Sequence, residues 1–386
     1  MTIFYAKHHI DKNDIRSVEN IVKRSNLTQG NVVNKFEKNL KNYFKSKYCV
    51  AVSNGTAALH LAIKSLNLEK KSKIVTTPIT FISTVSSILM NNHVPEFVDI
   101  NEENYNIDIN KLEKKLKDDK NISAVIAVDY AGNPCQWKDL NYLSKKYNFY
   151  LINDNCHALG SKIHGNKGYA VSYAHLVTQS YHPAKNFTTG EGGSILTNYK
   201  SLADKIRLMR SHSMIKNNKT IKKHGNWKYF VNEIGYNYRL TDIQCALGIS
   251  QLKKLDMFVK KRQEISKIYD KQFSSIDCLK IPKKSKSHYH SYHLYPLLID
   301  FKKLKLNKKK FFEILQKKGI NLQVHYIPVY KQGFLKKFKF KQSNFPVSEK
   351  FYSQEVSLPI YYSLKKKEQL LVIKSISQII KKYVKQ

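Results

Sequence analysis

The chain has 386 residues, 42% of them hydrophobic and 12% aromatic, which is enough apolar material for a large core and a second smaller one, so it reads as globular throughout. Its five cysteines (Cys49, Cys135, Cys156, Cys245, Cys278) are odd in number, widely spaced and free of any Cys-x-x-Cys pair, which argues against disulfides and metal ligation, and no metal is expected. A formal charge of +38, from 67 basic and 29 acidic residues, would suit a nucleic-acid or anionic-membrane partner, but the lysines stand in twos and threes along the whole length, as at Lys114-Lys115, Lys222-Lys223 and Lys308-Lys309-Lys310, and read instead as a solvated surface.

Residues 1–9 lack a basic segment followed by an apolar run, and no stretch nears the roughly 18 apolar residues of a membrane helix, so a cytoplasmic protein with no membrane partner is expected. From about residue 48, short β-branched runs alternate with helical patterns, the mark of α/β units on a mostly parallel sheet. Residues 48–53 read as a strand and 56–66 as a helix. The turn between them, Ser53-Asn-Gly-Thr-Ala-Ala-Leu59, puts Gly55, Thr56 and Ala57 at a helix start, where free N–H groups and the helix dipole attract an anion. A strand follows at 73–76, then Thr76-Thr-Pro-Ile-Thr-Phe81 with Phe81 opening a helix at 82–91, and a strand at 96–99.

Further along come a strand at 123–128, a helix at 140–147 and a strand at 149–153. Asp154 ends that last strand and so lies at the edge of the sheet where ligands bind in such folds, with His157 one turn later. In Thr178-Gln-Ser-Tyr-His-Pro-Ala-Lys-Asn-Phe-Thr-Thr-Gly-Glu-Gly-Gly193 a strand runs into a loop bounded by Pro183 and glycines, a setting that removes Lys185 from water and makes its amine nucleophilic. After Leu240, one long helical period carries Ile243, Leu247, Leu252, Leu255, Phe258 and Ile265 on a single face. Short strands at 293–299 and 321–325, a helix at 309–318 and a last helix from about 366 suggest a smaller domain. The expected division is 1–250, a large domain with an N-terminal arm, and 251–386, a small α+β domain.

Four of these segments answer the needs of a pyridoxal-phosphate (PLP) enzyme. Lys185 offers the amine that holds the aldehyde, and Asp154 the carboxylate that keeps the pyridine nitrogen protonated. Thr56 and Ala57 with Ser180 form a phosphate cup, and Phe81 and His157 are flat groups for the ring. Singly, each has a plainer structural role: Asp154 or Thr56 as a helix cap, Phe81 as a core aromatic, His157 as a buried hydrogen-bonded histidine.

Together the segments resemble the DegT/StrS-type sugar aminotransferases, within the PLP-dependent transferase fold of the aspartate aminotransferase type, over nearly the whole chain. The motifs that carry the resemblance are Ser180-Tyr-His-Pro-Ala-Lys185 with Gly190-Glu-Gly-Gly193, Gly235-Tyr-Asn-Tyr-Arg-Leu-Thr-Asp-Ile-Gln244 and Ala246-Leu-Gly248. It implies that Lys185 carries the cofactor, that Asn237 (cofactor and substrate) and Arg239 (substrate) serve the neighbouring subunit's site, and that the enzyme is a homodimer. Leu27-Thr-Gln-Gly30, Val128-Asp-Tyr-Ala-Gly132, His157-Ala-Leu-Gly-Ser161 and Gln323-Val-His-Tyr-Ile-Pro-Val-Tyr330 are similar in wording to the branch that serves pseudaminic acid synthesis. That branch aminates C4 of a UDP-linked 2-acetamido-2,6-dideoxy-4-keto-hexose, with L-glutamate as donor by family analogy. The resemblance places Tyr5, Ser25, Asn26, Leu27, Thr28, Gly55, Ser180, His325, Tyr326, Pro328 and Tyr330 near the sugar nucleotide. Tyr181, where Phe is usual, and Cys156, where a small residue is common, depart from the pattern. Another nucleotide 4-keto-sugar as substrate and a basic nucleic-acid-binding protein are the competing readings, while Lys185 argues against the related sugar dehydratases, which carry histidine there.

Overall fold

The computed structural model describes residues 2–23, 26–216, 218–283 and 285–385. Among them seven strands form one sheet, ordered Tyr48–Val52, Gly193–Thr197, Leu176–Ser180, Tyr150–Asp154, Ile122–Val128, Lys73–Thr76, Val94–Phe97. Gly193–Thr197 pairs antiparallel with both of its neighbours; the remaining pairs are parallel. Helices cover both faces, which is why the central strands are apolar runs and not alternating ones, as in Ile122–Val128, Ile-Ser-Ala-Val-Ile-Ala-Val. On one face Phe36, Leu40, Trp137 and Leu140 fill the core. On the other lies the helix Gly55–Ser65, apolar on nearly every side and buried accordingly.

This is the expected α/β fold, and several boundaries correct the sequence reading. The strand expected at 96–99 is Val94–Phe97 and includes Pro95, which an edge strand tolerates because it need not donate to a further neighbour. The single long helix after Leu240 is two, Asp242–Leu252 and Leu255–Phe273. Lys254 marks the break, its Nζ 2.8 Å from Asp11 and 2.6 Å from Asp14 of the N-terminal helix. The apolar period runs straight through because Leu252, Leu255 and Phe258 join the same core. No strand forms at 321–325; the chain there makes one bridge, Gln323 to Ser357.

A second core forms around an antiparallel sheet of Leu279–Lys280, Tyr295–Ile299 and Glu355–Leu358, covered by Lys308–Lys317, Lys366–Tyr383 and the later half of Leu255–Phe273. Ile3 packs into it from the chain's start, while Phe258 and Val259 still belong to the large core. Asp99, just past the edge strand, accepts the Val347 and Ser348 N–H groups at 3.0 and 2.9 Å and so caps the helix Pro346–Gln354 from across the junction. No helix among the described residues is long and apolar enough to cross a membrane.

Candidate active site

The carboxyl ends of the parallel strands open onto a cavity of about 950 Å³, closed on its other side by residues 323–332. Asp154 ends the strand Tyr150–Asp154 with its carboxylate buried. Its Oδ2 accepts from Thr84 Oγ1 at 2.9 Å and its Oδ1 from the Cys156 N–H at 3.2 Å. Thr84 in turn stands 2.8 Å from Thr80, one helical turn away.

Lys185 follows the strand Leu176–Ser180 on a tight loop. Its N–H donates to His182 O at 2.8 Å, and Asn186 beside it donates to Leu159 O at 2.9 Å. Lys185 is half-buried with its side chain on the cavity, and burial of the amine lowers its pKa, against smaller opposing pulls from Cys156 and Asp154. Tyr181 fits where Phe was usual because its hydroxyl lies 2.6 Å from Ser194 Oγ and donates to Gln179 Oε1 at 2.8 Å. Cys156 lines the cavity with its thiol pushed well up by burial, an unreactive protonated form.

At the start of Gly55–Ser65 the N-cap is Asn54, whose side chain accepts the Ala57 N–H at 2.8 Å. Thr56 is therefore not the cap, and among the described residues nothing accepts the Gly55 and Thr56 N–H groups. A Cβ on Gly55 would lie 2.8 Å from Ser180 Cβ, so the helix start and the lysine strand close into one cup only because residue 55 has no side chain. The cup, the buried carboxylate and the desolvated lysine suit the phosphate, ring nitrogen and aldehyde of PLP.

His157 Nδ1 accepts the Ala131 N–H at 3.3 Å, which puts its proton on Nε2, 2.9 Å from the Tyr326 hydroxyl. Tyr326 thus accepts from His157 and keeps its own proton for a group in the cavity. Burial, reinforced by Lys185, holds His157 and His293 well below the usual histidine range and His325 at about 3, so all three are neutral. Phe81, 53% exposed, presents its ring to the cavity 5.9 Å from that of Tyr326.

The cavity brings together Tyr5, Gly55, Thr56, Ala57, Phe81, Asp154, and likewise His157, Ser180, Lys185, His325 and Tyr326. Other expected residues lie outside its lining in this single chain. Tyr330 stacks on Phe345 at 5.0 Å with its hydroxyl on the Glu349 carboxylate, and Pro328 is buried. Asn26, Leu27 and Thr28 lie on the surface, tied to the start of Asp242–Leu252 by Asp242 N–H to Leu27 O at 2.9 Å and the Thr28–Thr241 bridge. Asn237 is exposed and Arg239 half-buried on the adjoining segment. Ser25 falls outside the described residues.

Sequence reasoning missed Thr84, whose signal was its i,i+4 spacing from Thr80, and His293, whose ring lies 4.5 Å from that of His157. Nothing in the run His290-Ser-Tyr-His293 separates it from other histidines.

The model of the DegT/DnrJ/EryC1/StrS aminotransferase family matches residues 8–377. The chain is 39% identical over 387 residues to the UDP-4-amino-4,6-dideoxy-N-acetyl-beta-L-altrosamine transaminase of Campylobacter jejuni, covering 99% of this chain and 98% of that one. To the Helicobacter pylori protein of the same description it is 34% identical over 365 residues, 93% of each. Among solved structures it is similar to Helicobacter pylori PseC, an aminotransferase involved in the biosynthesis of pseudoaminic acid, with a TM-score of 0.92 at 31% identity, over 99% of this chain and 100% of that one.

Proposed function

The chain belongs to the DegT/DnrJ/EryC1/StrS aminotransferase family, and from that premise we propose that it moves an amino group from L-glutamate to C4 of a UDP-linked 2-acetamido-2,6-dideoxy-4-keto-hexose, the amination step of pseudaminic acid biosynthesis. It is a PLP-dependent enzyme. The arrangement that carries the reading is a desolvated Lys185 amine and a buried, doubly hydrogen-bonded Asp154 carboxylate in one cavity large enough for a sugar nucleotide.

When bound, PLP withdraws electrons from the carbon that bears the amino group and carries that group from donor to acceptor. Asp154 would hold the pyridine nitrogen protonated. The Gly55 and Thr56 N–H groups and the Thr56 and Ser180 hydroxyls would hold the phosphate, with Ala57 completing the helix start, and Phe81 and His157 would serve as the flat groups for the ring. Lys185, whose pKa burial lowers, takes the proton from the donor's α-carbon and later delivers one to C4 of the sugar. Tyr5, His325 and the free proton of the Tyr326 hydroxyl orient the sugar.

Asn237, Arg239 and residues 26–28 complete the site of a second copy, which makes the enzyme a homodimer. In support, Leu27 and Thr28 meet Thr241 and Asp242 at one surface, and none of these four residues lines the chain's own cavity. That part of the chain also leaves Trp227, Tyr229, Phe230 and Ile234 exposed, more apolar surface than a lone chain commonly shows in one segment.

A panel of UDP-, dTDP- and GDP-linked 4-keto-sugars with L-glutamate tests the substrate. Each acetamido hydrogen bond left unmade costs roughly 1–3 kcal/mol, so kcat/KM for the UDP-linked acetamido sugar should lead by about tenfold or more. Equal or better turnover of a dTDP-sugar without the acetamido group rejects the substrate and leaves the aminotransferase standing.

A further inference from the structure

Two residues outside the cavity are joined to it through His325. Glu355 and Ser357 stand two apart on the strand Glu355–Leu358 and so share a face. Both are buried, Glu355 at 0% exposure. The His325 N–H donates to Glu355 Oε2 at 2.9 Å, and the Ser357 hydroxyl donates to Glu355 Oε1 at 2.5 Å. Ser357 Oγ also lies 2.8 Å from His325 Nδ1. On the opposite edge of the imidazole, Nε2 has no hydrogen bond among the described residues, and His325 lines the cavity.

A hydroxyl has one proton to give, so the three contacts are coupled. With Glu355 ionised, both of its oxygens only accept; the Ser357 proton is committed to Oε1, Nδ1 must supply the proton of its own contact, and Nε2 is a bare acceptor. With Glu355 protonated on Oε1, the carboxyl donates to Ser357, whose proton turns to Nδ1. The imidazole proton then resides on Nε2, which becomes a donor. One proton is gained by the carboxyl, and the imidazole only exchanges one tautomer for the other.

We propose that Glu355, acting through Ser357, sets the tautomer of His325 and so decides whether the substrate cavity meets a hydrogen-bond acceptor or a donor at Nε2. Glu355 is a positioning residue. Its working state is the carboxylate, which makes His325 an acceptor for a sugar hydroxyl or the acetamido N–H. That consequence for substrate rests on the sugar reading above; the tautomer itself does not.

Burial pushes Glu355 up to about 7, opposed by Ser357, Lys308 and the His325 N–H. The other groups facing it are Lys308 from Lys308–Lys317, brought down to about 8 by its own burial, and the Tyr130 and Tyr326 phenols, which burial keeps protonated. His325 stays neutral throughout, at about 3. A carboxyl raised in this way is ionised only as pH rises through about 7, so the acceptor tautomer belongs to the alkaline side.

The test is nitrogen-15 NMR of histidine-labelled holoenzyme, with His325→Asn assigning the signal. Native His325 should pass from Nε2–H to Nδ1–H as pH rises through about 7. In Glu355→Gln the amide oxygen takes the His325 N–H and its NH2 faces Ser357, which locks Nε2–H at every pH. Ser357→Ala should abolish the pH dependence without that lock, and it serves if the Gln variant does not fold. KM for the keto-sugar should rise about tenfold from the alkaline to the acid side in the native enzyme and stay high in Glu355→Gln, with kcat changing less. A native tautomer that does not change with pH, or one shared with Glu355→Gln at alkaline pH, overturns the relay. If no keto-sugar is turned over, the sugar reading fails while the NMR still decides the tautomer.

Discussion

The role proposed for Lys185 rests on where its amine sits. The chain carries 67 basic residues, and this one stands on the cavity with its pKa lowered by burial, on a loop that Asn186 pins to Leu159 and Ser291. Lys185→Ala should reduce turnover by at least roughly three orders of magnitude, since both the attachment and the proton transfer are lost. Borohydride reduction of the native holoenzyme should place the cofactor on the Lys185 peptide, and a label on any other lysine would defeat the assignment. Asp154 is complementary: its two carboxylate oxygens take the Thr84 hydroxyl and the Cys156 N–H, which fixes its orientation. Its place was legible from the apolar strand it ends, but its partner Thr84 was not, because that contact spans 70 residues.

At the scale of elements, the cup depends on how a helix start meets a strand end. Gly55 allows the approach: an added Cβ would sit 2.8 Å from Ser180 Cβ, inside ordinary contact. Gly55→Ala should therefore keep the fold, at a cost of about 1–3 kcal/mol of overpacking, while weakening PLP binding by about tenfold or more. Cofactor titration of the apoenzyme reads this, and an unchanged affinity would show that the two elements do not form a phosphate cup. Periodicity misled where neighbours intervened. Lys253 and Lys254 break the helix after Leu240 without breaking its apolar spacing, since both pieces bury the same face. Residues 321–325 have strand composition but only one rung of pairing, which leaves His325 free to turn toward the cavity.

For the whole molecule, the groups expected to act in trans give the sharpest test. If Arg239 serves the neighbouring subunit, mixed dimers of Lys185→Ala and Arg239→Ala contain one intact site. Random reassociation of equal amounts should then restore about a quarter of native activity from two inactive proteins. No recovery, with exchange verified by mass, would place Arg239 in its own subunit's site. Among the described residues lining the cavity of a single chain, Lys185 is the one lysine and there is no arginine, so that chain's surplus positive charge lies away from the cavity.

What the sequence determined by itself was local and repetitive: the alternation of strands and helices, hence a mostly parallel sheet, and from the rule that ligands meet strand carboxyl ends, the positions of Lys185, Asp154 and the Gly55–Ala57 turn. These follow from short-range preferences and from the period of apolar residues, which a single chain displays in order. The tertiary structure alone decided which distant side chains meet. It brought Thr84 to Asp154, Tyr326 to His157, and Glu355 and Ser357 to His325, contacts spanning 70, 169, 30 and 32 residues. It also set the neutral state of the three histidines, because desolvation is a property of the folded interior and leaves no trace in the order of residues.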